Sequence, residues 1–115
     1  MSKFLILIYD DEQAWVGADA AVSAKLMADH DRFGRQNGDK ILGGNALQPV
    51  ATATVVRPDG ADGFTVTDGP YAETKEALGG YYLVEADDLD EAIAFAKQVP
   101  VISGGLEVRP IMVFD

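Results

Sequence analysis

Two segments with the period of an amphipathic helix, about residues 19–36 and 88–98, each lie between extended apolar runs. That order leaves few folds open. The first run, Phe4 to Tyr9, is apolar at every position, as in a strand covered on both faces and central in its sheet. Asp10-Asp11-Glu12 ends it. In the first helical segment Val22, Leu26 and Phe33 share a face, while Lys25, Asp29, Asp31, Arg32 and Arg35 occupy the remainder. Asn37-Gly38 supplies the stop. Lys40-Ile41-Leu42 opens a second extended segment, interrupted by Gly43-Gly44. Ala51 to Arg57 is rich in β-branched residues and predicts a strand. Pro58 to Gly63 is a turn cluster and Phe64 to Thr67 the return strand of a hairpin. Gly80 to Glu85 predicts a further strand. Asp88 and Glu91 have capping-box spacing for a helix running to about Gln98, before Pro100. After the Ser103-Gly104-Gly105 loop, Leu106 to Phe114 is the last extended run.

Strand, helix, strand with an added hairpin, strand, helix, strand is the split βαβ order of the ferredoxin-like fold. The expectation is an α+β, βαββαβ domain with an extra hairpin, and 115 residues suffice for one domain over 1–115. Such a sheet carries both helices on one face. Its strands hold more apolar residues than one helix layer covers, which predicts a homodimer packed sheet to sheet.

Charge narrows the function. Nine Lys and Arg stand against nineteen Asp and Glu, a formal net charge of -10 with no basic cluster. A field of that sign repels phosphate backbones and anionic lipid surfaces, so neither nucleic acid nor membrane is an expected partner. There is no cysteine, hence no thiol nucleophile, disulfide or thiolate zinc site. Phe4 to Tyr9 is too short for a signal peptide and is followed at once by acids, and no stretch approaches the ~20 apolar residues of a spanning helix. A cytoplasmic protein is expected. One histidine is too few for the usual zinc sites, the acids lack calcium-loop spacing, and the Gly-Gly pairs form neither G-x-G-x-x-G nor a P-loop. No cofactor is expected, and there is no G-x-S-x-G nucleophile.

The candidate chemistry lies in two places. Thr67 to Glu76 packs a Gly-Pro bend with an acid, a phenol, a hydroxyl and a lysine, a shaped loop that holds polar groups. His30 is the sole histidine and sits at the edge of the helix stripe, where it could face a cleft and transfer protons near neutral pH. It could equally be a surface histidine bonded to Asp29 or Asp31. Asp68 could pair with His30, or close its own turn by accepting a downstream N–H. Tyr71, Thr74 and Lys75 could line the same pocket and bind an anionic or carbonyl group; alternatively Thr74 caps a short turn and Lys75 is solvated, which explains Lys75 better. Trp15 could form a wall, or serve as core or dimer contact. Tyr81 and Tyr82 face opposite sides of their strand, one toward the interface and one under a helix.

Blocks in order along nearly the whole chain carry a resemblance. They are Lys3 to Tyr9 with Asp11-Glu12 and Trp15, Met27 to Phe33, Gly43-Gly44 with Leu47-Gln48-Pro49, and Ala51 to Val55. Asp68-Gly69-Pro70 with Glu73-Thr74-Lys75-Glu76, Gly79 to Tyr82 and Glu107 to Pro110 follow. The chain resembles the YCII-related superfamily, in the branch named for a DGPF motif, with Tyr71 in place of the motif's Phe. The segment Gly34 to Gly38 is shorter than is usual after the first helix. The resemblance implies a dimeric α/β barrel with a pocket in each subunit. That pocket contains a helix histidine and an aspartate, matched here by His30 and Asp68, for which acid–base catalysis on a small molecule has been suggested. It also implies an occurrence near alternative sigma factors of the extracytoplasmic type, hence a sigma-factor association and a ligand-sensing or regulatory role as the alternative.

Overall fold

The computed structural model describes residues 1–60 and 62–114. Four strands form one antiparallel sheet in the order β2-β5-β1-β6, made of β1 (Ser2–Asp11), β2 (Ile41–Ala46), β5 (Glu76–Ala86) and β6 (Gly105–Pro110). The apolar run is thus central, between β5 and β6. β3 (Thr54–Pro58) and β4 (Phe64–Asp68) form a separate two-stranded hairpin. Of the turn expected between them, Ala61 lies outside the described residues. With its few helices, this α+β arrangement is compatible with a ferredoxin-like unit carrying an added hairpin.

Strand parity sets the two faces of the sheet. Phe4 and Ile6 from β1 and Val84 and Ala86 from β5 are buried together with Phe33 of α2 (Ala20–Asn37) and Ala92 and Ala96 of α3 (Leu89–Ala96). Both helices therefore lie on one face. Each begins on an aspartate: Asp19 Oδ1 accepts from Val22 N at 2.9 Å and Asp88 Oδ1 from Glu91 N at 2.9 Å, which satisfies N–H groups that the helix leaves open. The next residues along each strand, Leu5, Leu7, Tyr81 and Leu83, point to the opposite face, where no helix lies, and are only half-buried.

Some boundaries differ from the sequence expectation. β5 begins at Glu76, because residues 76–78 continue the pairing with β1 beyond a bulge at Gly79; these residues lack the apolar alternation that marks a strand. Residues 50–52 form a 3-10 turn, so the strand expected from Ala51 begins at Thr54. β6 ends at Pro110, which has no N–H for a ladder, and the apolar residues 111–114 run on outside the strand. A short helix, α1 (Glu12–Val16), follows β1 directly. Of the apolar residues of α2, only Phe33 is buried; Val22 and Met27 are 41% and 70% exposed.

Candidate functional site

The acids at the end of β1 are divided among three tasks. Asp10 follows Phe4, Ile6 and Ile8 on the helix-facing side and is buried. Its Oδ2 accepts from Ile102 N at 2.8 Å, and its Oδ1 from Ser103 N at 2.9 Å and Ser103 Oγ at 3.0 Å. Burial alone would push this carboxyl up, but the donors from Ile102, Ser103 and Asp11 outweigh it and hold the group below the usual carboxylate range. Asp11 caps α1 by accepting from Gln13 N at 2.9 Å. Glu12 reaches across to accept from Val50 N at 2.8 Å. The loop that Asp10 holds comes so close to β1 that a Cβ on Gly104 would sit 1.9 Å from the Tyr9 carbonyl oxygen.

These anchors leave a cavity of about 490 Å³ between the sheet and the first two helices. α2 contributes Leu26, Met27 and His30, and α1 contributes Trp15. The sheet side is made by Ile8, Tyr81, Tyr82 and three glycines, Gly44, Gly79 and Gly80, while Asn45, Ala46 and Leu47 stand at the end of β2. Asp10 and Pro100 complete it.

Within this cavity, His30 Nδ1 and the Tyr82 hydroxyl share a hydrogen bond of 2.7 Å. Tyr82 is itself held by the buried ring of Phe33, with centroids 4.8 Å apart at 55°. The packing chain thus runs from core to site: Phe33 fixes Tyr82, and Tyr82 orients the imidazole. Burial lowers the His30 pKa below 6.5, opposed by the charge of Asp29. Asp29 does not bond the histidine; it accepts from Lys25 at 2.7 Å and Arg32 at 3.3 Å. Burial, with the charge of Asp31, raises the Tyr82 pKa above 10.0. Both groups are therefore mainly uncharged at neutral pH. Among the described residues the Nε2 of His30 has no hydrogen-bond partner. With Tyr82 donating to Nδ1, Nε2 carries the proton; with Nδ1 donating to Tyr82, Nε2 presents a lone pair. Either tautomer leaves one ring nitrogen for a ligand.

Of the residues singled out in the sequence, the structure brings Trp15 and His30 into one cavity. Asp68, Tyr71 and Thr74 lie elsewhere. Asp68 is exposed at the end of β4, paired with Thr54, and shares no hydrogen bond with His30 within the chain. Tyr71 is 72% exposed. Arg57 lies 4.2 Å over its ring and donates to its hydroxyl at 3.1 Å, so the phenol that replaces the motif's Phe has a partner on the hairpin. Thr74 donates to the Glu76 carbonyl and lines a smaller cavity of about 370 Å³ with Gly69, Pro70 and Glu73. Lys75 is exposed.

Two contributors escaped the sequence reading. Asp10 read as a strand terminator, although its parity with Ile6 and Ile8 placed it inward. Tyr82 was one of two tyrosines assigned to opposite faces, and only the register with β1 shows it to be the one beneath α2. On the other face the Tyr81 hydroxyl accepts from Asn45 Nδ2 at 2.9 Å, and both residues stand at the edge of the cavity. Among the described residues no cluster of three or more His, Asp and Glu side chains could hold a metal ion, and no helix is long and apolar enough to cross a membrane.

Comparison with known proteins agrees with this frame. The model of the YCII-related domain matches residues 2–115. An uncharacterised protein of Rhizobium meliloti (strain 1021) is 33% identical over 119 aligned residues, covering 96% of this chain and 93% of that protein. By a match that spans nearly its whole length, the chain belongs to the YCII-related family.

Proposed function

We propose that the His30 cavity is a small-molecule site in which His30 transfers a proton and Tyr82 orients it, within a homodimer built sheet to sheet. The observation that carries the reading is the half-buried, largely neutral imidazole, tied through one nitrogen to Tyr82 and open at the other. A general base is most effective when its pKa lies near the working pH, and a half-buried histidine meets that condition.

The dimer rests on shape and surface. The chain measures 49 × 47 × 18 Å with a radius of gyration of 16.3 Å, where a compact domain of this length has about 13 Å. A plate this thin leaves one sheet face uncovered, with Leu5, Leu7 and Leu83 on it. A second copy packed there closes an α/β barrel. Within one chain Asp68 makes no hydrogen bond to His30, so a part for Asp68 in the chemistry would require the second copy. Sedimentation at micromolar concentration tests the assembly, and a monomer contradicts it.

Ligand sensing without chemistry is the second reading, with an extracytoplasmic-type sigma factor as partner. The apolar surface of the hairpin and tail supports it: Phe64, Val66, Met112 and Phe114 are all more than 60% exposed. A screen of small molecules for turnover separates the two readings. His30→Ala then abolishes turnover while costing about 1 kcal/mol of stability, the worth of one hydrogen bond. Turnover that survives His30→Ala refutes the catalytic reading. Asp68→Asn decides between a reacting Asp68, whose loss matches that of His30, and a bystander.

A further inference from the structure

The chemistry around the His30 cavity also limits what can enter it. We infer that the cavity takes an uncharged, planar aromatic or enolic molecule bearing a hydroxyl group, and discriminates against carboxylates, phosphates and organic cations. This inference rests on the cavity being a small-molecule site and names its ligand class.

The absence of compensating charge comes first. No Lys or Arg side chain is among the described residues that line it. His30 supplies no cation at neutral pH, because burial lowers its pKa. The lining carboxylate, Asp10, remains ionised and is already committed to N–H groups of Asp11, Ile102 and Ser103 and to the Ser103 hydroxyl. An entering anion would lose its hydration, find no counter-charge and face a fixed negative group, in a chain of net charge -10. A cation fares little better at short range, since the lone pairs of Asp10 are taken up by these donors.

Shape supplies the second constraint. Trp15 and Tyr82 present aromatic surface, and Gly44, Gly79 and Gly80 leave the sheet backbone bare beside them. A Cβ on Gly44 would come within 2.8 Å of the Tyr82 ring, and one on Gly80 within 2.9 Å of the Asn45 carbonyl oxygen. The glycines therefore allow β2 and β5 to close up beneath the site and leave a low surface against which a flat ring can lie. The third constraint is polar: the unpartnered Nε2 of His30 is placed to bond one ligand hydroxyl, as a small apolar pocket fixes orientation with few polar contacts.

Trp15 is the sole tryptophan, so its indole N–H resonance reports occupancy without ambiguity. Four probes of similar size separate the classes: 4-methylphenol, benzoate, benzyltrimethylammonium and cyclohexanol. The expected result is saturable binding of 4-methylphenol at a concentration roughly tenfold below that needed for any of the others. His30→Ala should weaken 4-methylphenol by about tenfold and leave the weak binding of benzoate and benzyltrimethylammonium, which bear no hydroxyl, unchanged. Benzoate or benzyltrimethylammonium binding as tightly as 4-methylphenol overturns the charge assignment and leaves the cavity a ligand site. Cyclohexanol binding equally overturns the requirement for a flat ring. If none of the probes moves the Trp15 signal, the cavity is not a small-molecule site, and the inference falls together with the function proposed above.

Discussion

Asp10, Asp11 and Glu12 end the central strand, and Asp68 ends a strand of the outlying hairpin, yet the two acidic places are used in opposite ways. Asp11 caps the helix that follows it, Asp10 and Glu12 accept hydrogen bonds from distant parts of the chain, and Asp10 is buried among its donors. Asp68 is exposed, and the nearby Tyr71 hydroxyl accepts from Arg57. The difference teaches that a carboxylate gains structural weight from backbone donors brought to it by the fold. A bend-rich local motif does not by itself confer that weight. The end of β1 is a fixed frame for the cavity, and the Asp-Gly-Pro loop is a surface feature of the single chain.

The sharpest way to break this contrast is to remove one carboxylate from each place. Asp10→Ala removes a buried acceptor from the N–H groups of Ile102 and Ser103 and should cost about 2 kcal/mol in urea unfolding, whereas Asp68→Ala should stay within about 0.5 kcal/mol. Acid adds a second reading at Asp10. The folded-state pKa of Asp10 lies below its unfolded value, so its contribution is complete above about pH 4 and is lost as pH falls through the folded value. Wild type and Asp10→Ala should therefore converge in stability at low pH. Equal losses at the two positions would undo the comparison.

A smaller effect separates two adjacent glycines of the loop that Asp10 holds. Gly104→Ala drives a methyl group into the Tyr9 carbonyl and should cost about 2 kcal/mol. Gly105→Ala meets nothing within 4 Å and should unfold with the wild type, within about 0.5 kcal/mol. The smallest effect is on the hairpin: Tyr71→Phe removes an exposed hydrogen bond from Arg57 but keeps the ring under the guanidinium, so a change of only a few tenths of a kcal/mol is expected.

The sequence carried the strand and helix order because apolar period and capping residues are local signals, as at Asp19 and Asp88. It carried the central place of Phe4 to Tyr9 for the same reason. It did not carry the early start of β5, whose residues 76–78 are held in register by β1. His30 and Trp15 were legible as site candidates from their types and positions. Tyr82 was not, since its bond to His30 joins residues 52 apart in the chain. The role of Asp10 was equally non-local, because its donors at 102 and 103 come into view only when the loop after α3 folds back.

The cavity holds a half-buried histidine kept neutral by its burial and oriented by Tyr82. His30 is the sole histidine, so NMR titration of its ring protons measures that state directly. The expected midpoint lies below the ordinary value of about 6.5. Stability should decline as pH falls from that ordinary value toward the midpoint, because the unfolded chain takes up the proton first. A midpoint at or above the ordinary value would show an exposed or ion-paired imidazole and would contradict this assignment.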